Sequence, residues 1–473
     1  MEPPDREVRP ALEAAYRAAL GYLDQLDRTS VAATVDYGTL RQRLDKPLGD
    51  EGTAPEQVVA ELAADVEGGL LGSAGGRFFA WVIGGTLPAA LAADWLTATW
   101  DQNAGLYACA PAAAVVEEVA GKWLKEIFGL PQQASFALVT GCQMAHATCL
   151  AAARYALLAR RGWDVGGQGL FGAPPIRLVT SKAQHSSFER AVRLLGLGEA
   201  QIIALPTDAQ DRLQAATLEG ELAKAPDAPT LVLLQAGDVN IGAFDPFLEL
   251  IPIAKRYGAW VHVDGAFGLW AAASPQYRHL LRGVQAADSW AADGHKWLNV
   301  PYDCGYAFVA EAEAHRAAMA QQAAYLAHDA SARDEMDWNP EFSRRARGFP
   351  TYAALRQLGR HGVAALVERC CAHAHALATR IGALPSAELL AEPTINQGLV
   401  RFIDRRAGAA DEAHDRRTNA VIAAIAATGE VFFSGTTWHG RRAMRISVSN
   451  WRTTERDVER SVEAVTAVVQ GKH

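Results

Sequence analysis

Five short apolar runs punctuate the middle of this 473-residue chain: SFALVT (135–140), IRLVTS (176–181), QIIALP (201–206), TLVLLQAG (230–237) and AWVHVDGA (259–266). They lack the alternation of a strand with one wet face, and helix-length stretches separate several of them. Such runs suit strands buried on both faces, so the chain is expected to form an α/β fold around a mostly parallel sheet covered by helices. Helical periodicity at 87–101, at 111–128, at 142–160 and onward from Ser186 supplies those covering layers. In sheets of this kind the ligand lies at the carboxyl ends of the strands.

The flanks differ from the middle. Residues 11–27 repeat apolar positions at three- and four-residue spacing, and 55–71 are again helical in pattern. Together they are too small to bury a core, so their apolar faces need another surface, and a partner subunit is the expected one. The polar, aperiodic stretch 325–345 reads as a mobile loop, and helix resumes over 350–381. Strand-like QGLVRF (397–402), EVFFS (430–434) and AMRISVS (443–449) form a smaller C-terminal α+β unit. The expected division is an N-terminal helical segment at 1–85, a large α/β domain at 86–345 and a small domain at 346–473.

Composition narrows the class. The chain is 50% hydrophobic, and its 45 basic and 53 acidic residues give a formal charge of -8 with no sustained Lys/Arg block, which excludes a nucleic-acid footprint. Cysteines at 109, 142, 149, 304, 370 and 371 show neither a C-x-x-C pair nor zinc spacing, so no metal site and a reducing cytoplasm are expected. The opening MEPPDREVRP is no signal-peptide core. No run approaches the roughly 18 apolar residues of a membrane span. GQGLFG (167–172) follows no strand and leads into APP, so a dinucleotide site, and with it a nicotinamide oxidoreductase, is not expected. His373 and His375 fall on different helix faces and are expected in solvent rather than on a metal.

The chemistry concentrates in 261–297. One buried strand ends in Asp264; thirty-two residues on, after another short strand, come His295, Lys296 and Trp297. Alone, Asp264 could be a strand-end cap and Lys296 a surface lysine. Placed at neighbouring strand ends they face one cleft, which suits pyridoxal phosphate: the carboxylate partners the protonated ring nitrogen, and the lysine amine forms the Schiff base. The pyridinium would also pair the otherwise costly buried carboxylate.

With HVDGAFG (262–268) and HKW (295–297), HSSFERA (185–191), GAFDP (242–246) and RRAR (344–347) occur in order. On these motifs the chain, from about 70 to 365, resembles the group II pyridoxal-phosphate-dependent amino-acid decarboxylases, the aromatic L-amino-acid and glutamate decarboxylases among them. The resemblance implies the aspartate-aminotransferase-like fold type I with a seven-stranded sheet. It implies Lys296 as the Schiff-base lysine, Asp264 as the pyridinium partner, and Ala266 as the small residue against which the ring lies. It gives His185 as the histidine stacked on the cofactor, and His295 as a residue able to take part in proton transfer. Cys142 and Gln143 fall on the phosphate-binding strand-to-helix turn, with Gln143 where a serine is usual. Asp293 stands where relatives carry asparagine and is expected to turn away from the phosphate or offer only its backbone. Asn240 is expected to replace the hydrogen bonds of absent threonines.

The reaction implied is decarboxylation of an L-amino acid to its amine and CO2 through a quinonoid intermediate, in a homodimer whose pocket draws on both chains. Trp81, Val82 and Gly84 align with the pocket-lining segment, and Asn103 with the region reaching the neighbouring pocket. Trp81 argues for a flat substrate and Asn103 for a polar one; Arg347 either pairs with a substrate carboxylate or anchors the loop. Between Tyr325 and Arg344 there is no tyrosine of the kind that protonates Cα in decarboxylating relatives. Protonation then falls to His185, Tyr325 or the partner subunit. The alternatives are an aldehyde synthase, a decarboxylation coupled to bond formation, and a catalytically silent protein of the same fold.

Overall fold

The structure is a computed structural model that describes residues 8–321, 332–406 and 408–471. Strand β1 (Phe78–Phe79) precedes a seven-stranded sheet made of β2 (Ser135–Val139), β3 (Arg177–Ser181), β4 (Ile202–Leu205), β5 (Thr230–Gln235), β6 (Trp260–Asp264), β7 (Ser289–Asp293) and β8 (Gly305–Val309). The spatial order is β2-β8-β7-β6-β5-β3-β4, and β8 alone runs against its neighbours. β6 and β7 are adjacent and parallel, so Asp264 and Asp293 finish at the same edge. β8, short and glycine-led, was not among the expected strands.

Helices cover both faces. On one, the helix Cys142–Ala159 packs on Trp260, Leu231 and Ala291; on the other, Val261, Val263 and Trp290 join the larger core with Phe128 and Trp270. The alternation within β6 therefore sends Trp260, His262 and Asp264 to the face of the Cys142–Ala159 helix.

A second sheet combines β9 (Ala387–Ala391), β10 (Gln397–Phe402), β11 (Phe432–Trp438) and β12 (Arg441–Ser447), and its order β1-β11-β12-β10-β9 recruits β1 from the N-terminal region. That region is thus not wholly helical: β1 pairs with β11 in parallel, Phe78 beside Phe432. The long helix Gly348–Gly382 turns at Gly359, whose φ of 60° suits a residue without a Cβ.

The described part of the expected loop, 332–345, is packed rather than solvated. Arg344, fully buried, forms a two-pronged pair with Glu117 at 2.8 and 2.9 Å and donates to the carbonyls of Ala104 and Leu138. Polar residues are buried here because each charge meets an opposite one. His373 is likewise buried, correcting its expected exposure, while His375 is exposed.

Candidate active site

A cavity of about 380 Å³ opens at the carboxyl ends of β5, β6 and β7. Of the expected site residues it gathers Trp81, Val82, Cys142, Gln143, His185, Asp264, Ala266, Asp293, His295 and Lys296 on its wall. Arg445 of β12 also lines it, and nothing in AMRISVS had marked that residue.

Asp264 is fixed at the floor. Its Oδ1 accepts the Ala266 N–H at 3.1 Å, the Cys142 thiol lies 3.7 Å from the same oxygen, and Oδ2 is 3.4 Å from His146 Nε2. Burial would raise this carboxyl, but His146, His185 and the Ala266 N–H outweigh it and hold it far below the usual carboxylate range. Among the described residues it is ionised without a Lys or Arg in hydrogen-bond or ion-pair contact. Burial and the neighbouring carboxylates push the Cys142 thiol well up, so it stays a donor.

Lys296 Nζ lies 3.0 Å from Asp293 Oδ2, and Asp293 Oδ1 accepts the Cys142 N–H at 2.6 Å. The expectation that Asp293 turns away is therefore corrected. A helix N-terminus and an ammonium both attract its carboxylate, and the pair is self-satisfying. Burial would lower the Lys296 amine, but Asp293 dominates the balance among the charges and raises it. His295 accepts the Cys304 N–H through Nδ1 at 3.1 Å and stacks on Tyr302, which leaves its Nε2 3.5 Å from Asp293. Its pKa is lowered by burial.

His185 caps the helix Ser186–Leu194: its Nδ1 accepts the Ser187 N–H at 3.2 Å, so the Nε2 of the neutral ring carries the proton. Burial beside the cavity lowers its pKa, with Asp264 opposing. Trp81 and Val82 hold consecutive left-handed conformations, φ 53° and 58°, strain of the kind that collects at functional sites. Trp81 is exposed at the mouth, its ring tilted against Phe78 and Phe432.

Four expected residues do not line the cavity within this chain. Gly84 instead backs the lysine: a Cβ there would lie 1.8 Å from the Lys296 carbonyl oxygen. Asn240 accepts from Thr436 at 2.9 Å. Asn103 is exposed and accepts the Arg344 N–H at 3.1 Å. Arg347 pairs with Asp303 at 2.9 Å. Tyr325 lies outside the described residues.

Three buried donors of the cavity wall have no hydrogen-bond acceptor among the described residues: Gln143 Nε2, Gln235 Nε2 and Arg445 Nε. Gln143 stands in the first turn of the Cys142–Ala159 helix, where backbone N–H groups also lack helical acceptors. The wall thus offers an ionised acceptor, unused donors and an amine. That chemistry fits pyridoxal phosphate, with its ring nitrogen, dianion and aldehyde.

Comparison with known proteins agrees. The family profile "Pyridoxal-dependent decarboxylase conserved domain" matches residues 38–403. L-2,4-diaminobutyrate decarboxylase of Rhizobium meliloti (strain 1021) is 27% identical over 476 residues, spanning 98% of this chain and 92% of its own. Tryptophan decarboxylase 1 of Oryza sativa subsp. japonica is 28% identical over 487 residues, spanning 97% and 93%. The crystal structure of Oryza sativa TDC with PLP and tryptamine superposes with a TM-score of 0.92 at 25% identity, covering 100% of this chain and 99% of that one. The chain belongs to the pyridoxal-dependent decarboxylases and is a fold type I, PLP-dependent amino-acid carboxy-lyase.

Proposed function

We propose that the substrate is an L-amino acid with an aromatic side chain, released as its amine. The observation that carries this reading is the charge inventory of the cavity. Asp264 is committed to the ring nitrogen and Asp293 to Lys296, so among the described wall residues no carboxylate is left for a second substrate ammonium. Among the described residues Arg445 is the one guanidinium on the wall, and the substrate α-carboxylate uses it, which leaves no second guanidinium there for an acidic side chain. What remains at the mouth is Trp81, backed by Phe78 and Phe432, a flat apolar wall. Asn103, the residue that argued for a polar substrate, already spends its side-chain oxygen on Arg344.

When bound, the cofactor supplies the electron sink that makes loss of CO2 from Cα feasible. The chain supplies the rest. Lys296 would hold the cofactor aldehyde, and Asp264 would pair with the ring nitrogen and favour its protonated form. The Gln143 amide and the first-turn N–H groups beyond Cys142 would receive the phosphate, Ala266 would leave room for the ring, and Arg445 would orient the carboxylate to be lost. His185, its Nδ1 held by the Ser187 N–H, would lie against the open face of the ring. Asp293 holds the lysine amine, and His295 stands against the other oxygen of that carboxylate.

A homodimer is part of this reading. Leu12, Tyr16 and Leu20 of the helix Arg9–Gln25 and Trp95, Leu96 and Trp100 of the helix Pro88–Trp100 are exposed apolar residues in a single chain, and a second copy would bury them. Six free cysteines suit a reducing cytoplasm. No helix among the described residues is long and apolar enough to cross a membrane.

The test is CO2 release from L-tryptophan, L-tyrosine, L-phenylalanine, L-2,4-diaminobutyrate, L-glutamate and L-aspartate, with products identified. An aromatic substrate leading in kcat/KM supports the reading; preference for a diamino or acidic one refutes it. The missing loop tyrosine favours a second reading, aldehyde formation, which aldehyde, ammonia and peroxide as main products would establish.

A further inference from the structure

Behind Asp264 runs a chain of buried polar groups that the mechanism above does not use. His146 Nδ1 lies 2.8 Å from His262 Nε2, His262 Nδ1 lies 2.9 Å from Ser289 Oγ, and the Trp260 indole donates to that same hydroxyl at 2.9 Å. His146, His262, Ser289 and Trp260 are all fully buried. The register explains the alignment. Trp260, His262 and Asp264 alternate along β6 onto one face, Ser289 of β7 is the register partner of His262, and His146 stands one helical turn after Cys142.

The ends of the chain dictate its direction. An indole N–H can only donate, and an ionised carboxylate can only accept. Arranged in one direction, Trp260 donates to Ser289, Ser289 to His262 Nδ1 and His262 Nε2 to His146 Nδ1, which turns the His146 Nε2 proton toward Asp264 Oδ2 at 3.4 Å and the Cys142 thiol at 3.5 Å. The Cys149 thiol beside Ser289 is pushed up to about 12 by burial, stays protonated, and is a weaker acceptor than an imidazole nitrogen. Burial lowers His262 to about 3, in keeping with a neutral ring.

We propose that Trp260, Ser289, His262 and His146 form a one-directional hydrogen-bond relay that fixes the His146 tautomer and thereby sets the protonation of the cofactor's ring nitrogen through Asp264. The proposal rests on the cofactor reading above. His262 and Ser289 are positioning residues: they touch neither substrate nor cofactor. A neutral imidazole with its proton on Nδ1 would turn a lone pair toward Asp264, and relay order is what prevents this.

His262→Phe keeps the ring but removes the donor to His146, whereas His262→Gln can place an N–H near the lost Nε2. The experiment measures kcat, KM and the 15N resonance of the ring nitrogen in holoenzyme loaded with 15N-labelled pyridoxal phosphate. The relay requires H262F to move the resonance toward the unprotonated value and to lose kcat by roughly tenfold, the worth of one hydrogen bond, with KM little changed. H262Q should restore both. H262F that binds cofactor with the wild-type resonance and kcat overturns the proposal. Should H262F not fold, Ser289→Ala replaces it: a shifted resonance supports the relay and an unshifted one overturns it. An unprotonated nitrogen in the wild-type enzyme would be a different failure, sinking the Asp264 pairing itself.

Discussion

Arg445 offers a perturbation whose effects on stability and activity have opposite expectations. Arg445 is 8% exposed, and among the described residues its Nε has no acceptor and its one hydrogen bond, Nη1 to the Val239 carbonyl, is 3.4 Å long. Burial lowers its pKa and Asp238 only partly offsets this, so the charge is poorly compensated by the protein. Asp238 does not depend on it, since its carboxylate accepts the N–H groups of Asn240, Ile241 and Ala243. Replacing an undercompensated buried charge with an apolar side chain of similar length is neutral or stabilising. Arg445→Met should therefore leave the Tm of the cofactor-free protein unchanged or raised. The substrate carboxylate, by contrast, loses a charge-assisted two-pronged contact worth about 3–4 kcal/mol, or roughly 10² to 10³ in kcat/KM. Steady-state CO2 release and a thermal melt measure the two quantities on one preparation. A variant with kcat/KM within a few-fold of wild type refutes the anchoring role. A variant that melts far lower shows Arg445 to be structural instead.

Other outcomes follow from the same geometry. Gly84→Ala drives a methyl group into the Lys296 carbonyl, so cofactor binding should fall sharply, whereas Gly21→Ala, with open space around it, should be neutral or slightly stabilising; equal behaviour of the two would contradict the contact. Gln143→Ala should weaken cofactor affinity by about tenfold, the value of one hydrogen bond to a charged group, with kcat at saturating cofactor nearly unchanged; a titration of the visible band checks it, and unchanged affinity removes Gln143 from the phosphate site. Because burial lowers His185, its neutral form persists below its ordinary pKa of 6.5 and is lost only as pH falls through the depressed value. The acid limb that His185 contributes to kcat/KM should therefore lie below pH 6.5 and vanish in His185→Gln; a limb at or above 6.5 would show that the ring is not desolvated.

Much of the architecture was legible because buried parallel strands announce themselves as unbroken apolar runs. All five central runs are strands, and the two ends that carry Asp264 and Lys296 lie side by side. β8 escaped because GYAFV is short and follows a loop with no turn signature tied to a hairpin. The burial of 332–345 could not be read from a polar segment: what reverses its polarity is Glu117, 227 positions from Arg344 and visible only once the chain is folded. Arg445 was hidden for a similar reason, as one arginine in a strand of the second sheet. Asp293 was misjudged by weighing it against a phosphate alone, without the Cys142 N–H and the Lys296 amine that hold it. The relay, in contrast, was written in local pattern: W-x-H-x-D has the two-residue period of a strand and C-x-x-x-H the four-residue spacing of a helix face.

The central claim is that Lys296 holds the cofactor over Asp264. Borohydride reduction of the purified holoenzyme, followed by proteolysis and mass spectrometry, tests it directly. A phosphopyridoxyl group on the peptide containing Lys296, with loss of the visible band, is the expected result. The same group on another lysine, or a colourless protein that acquires none, would contradict it.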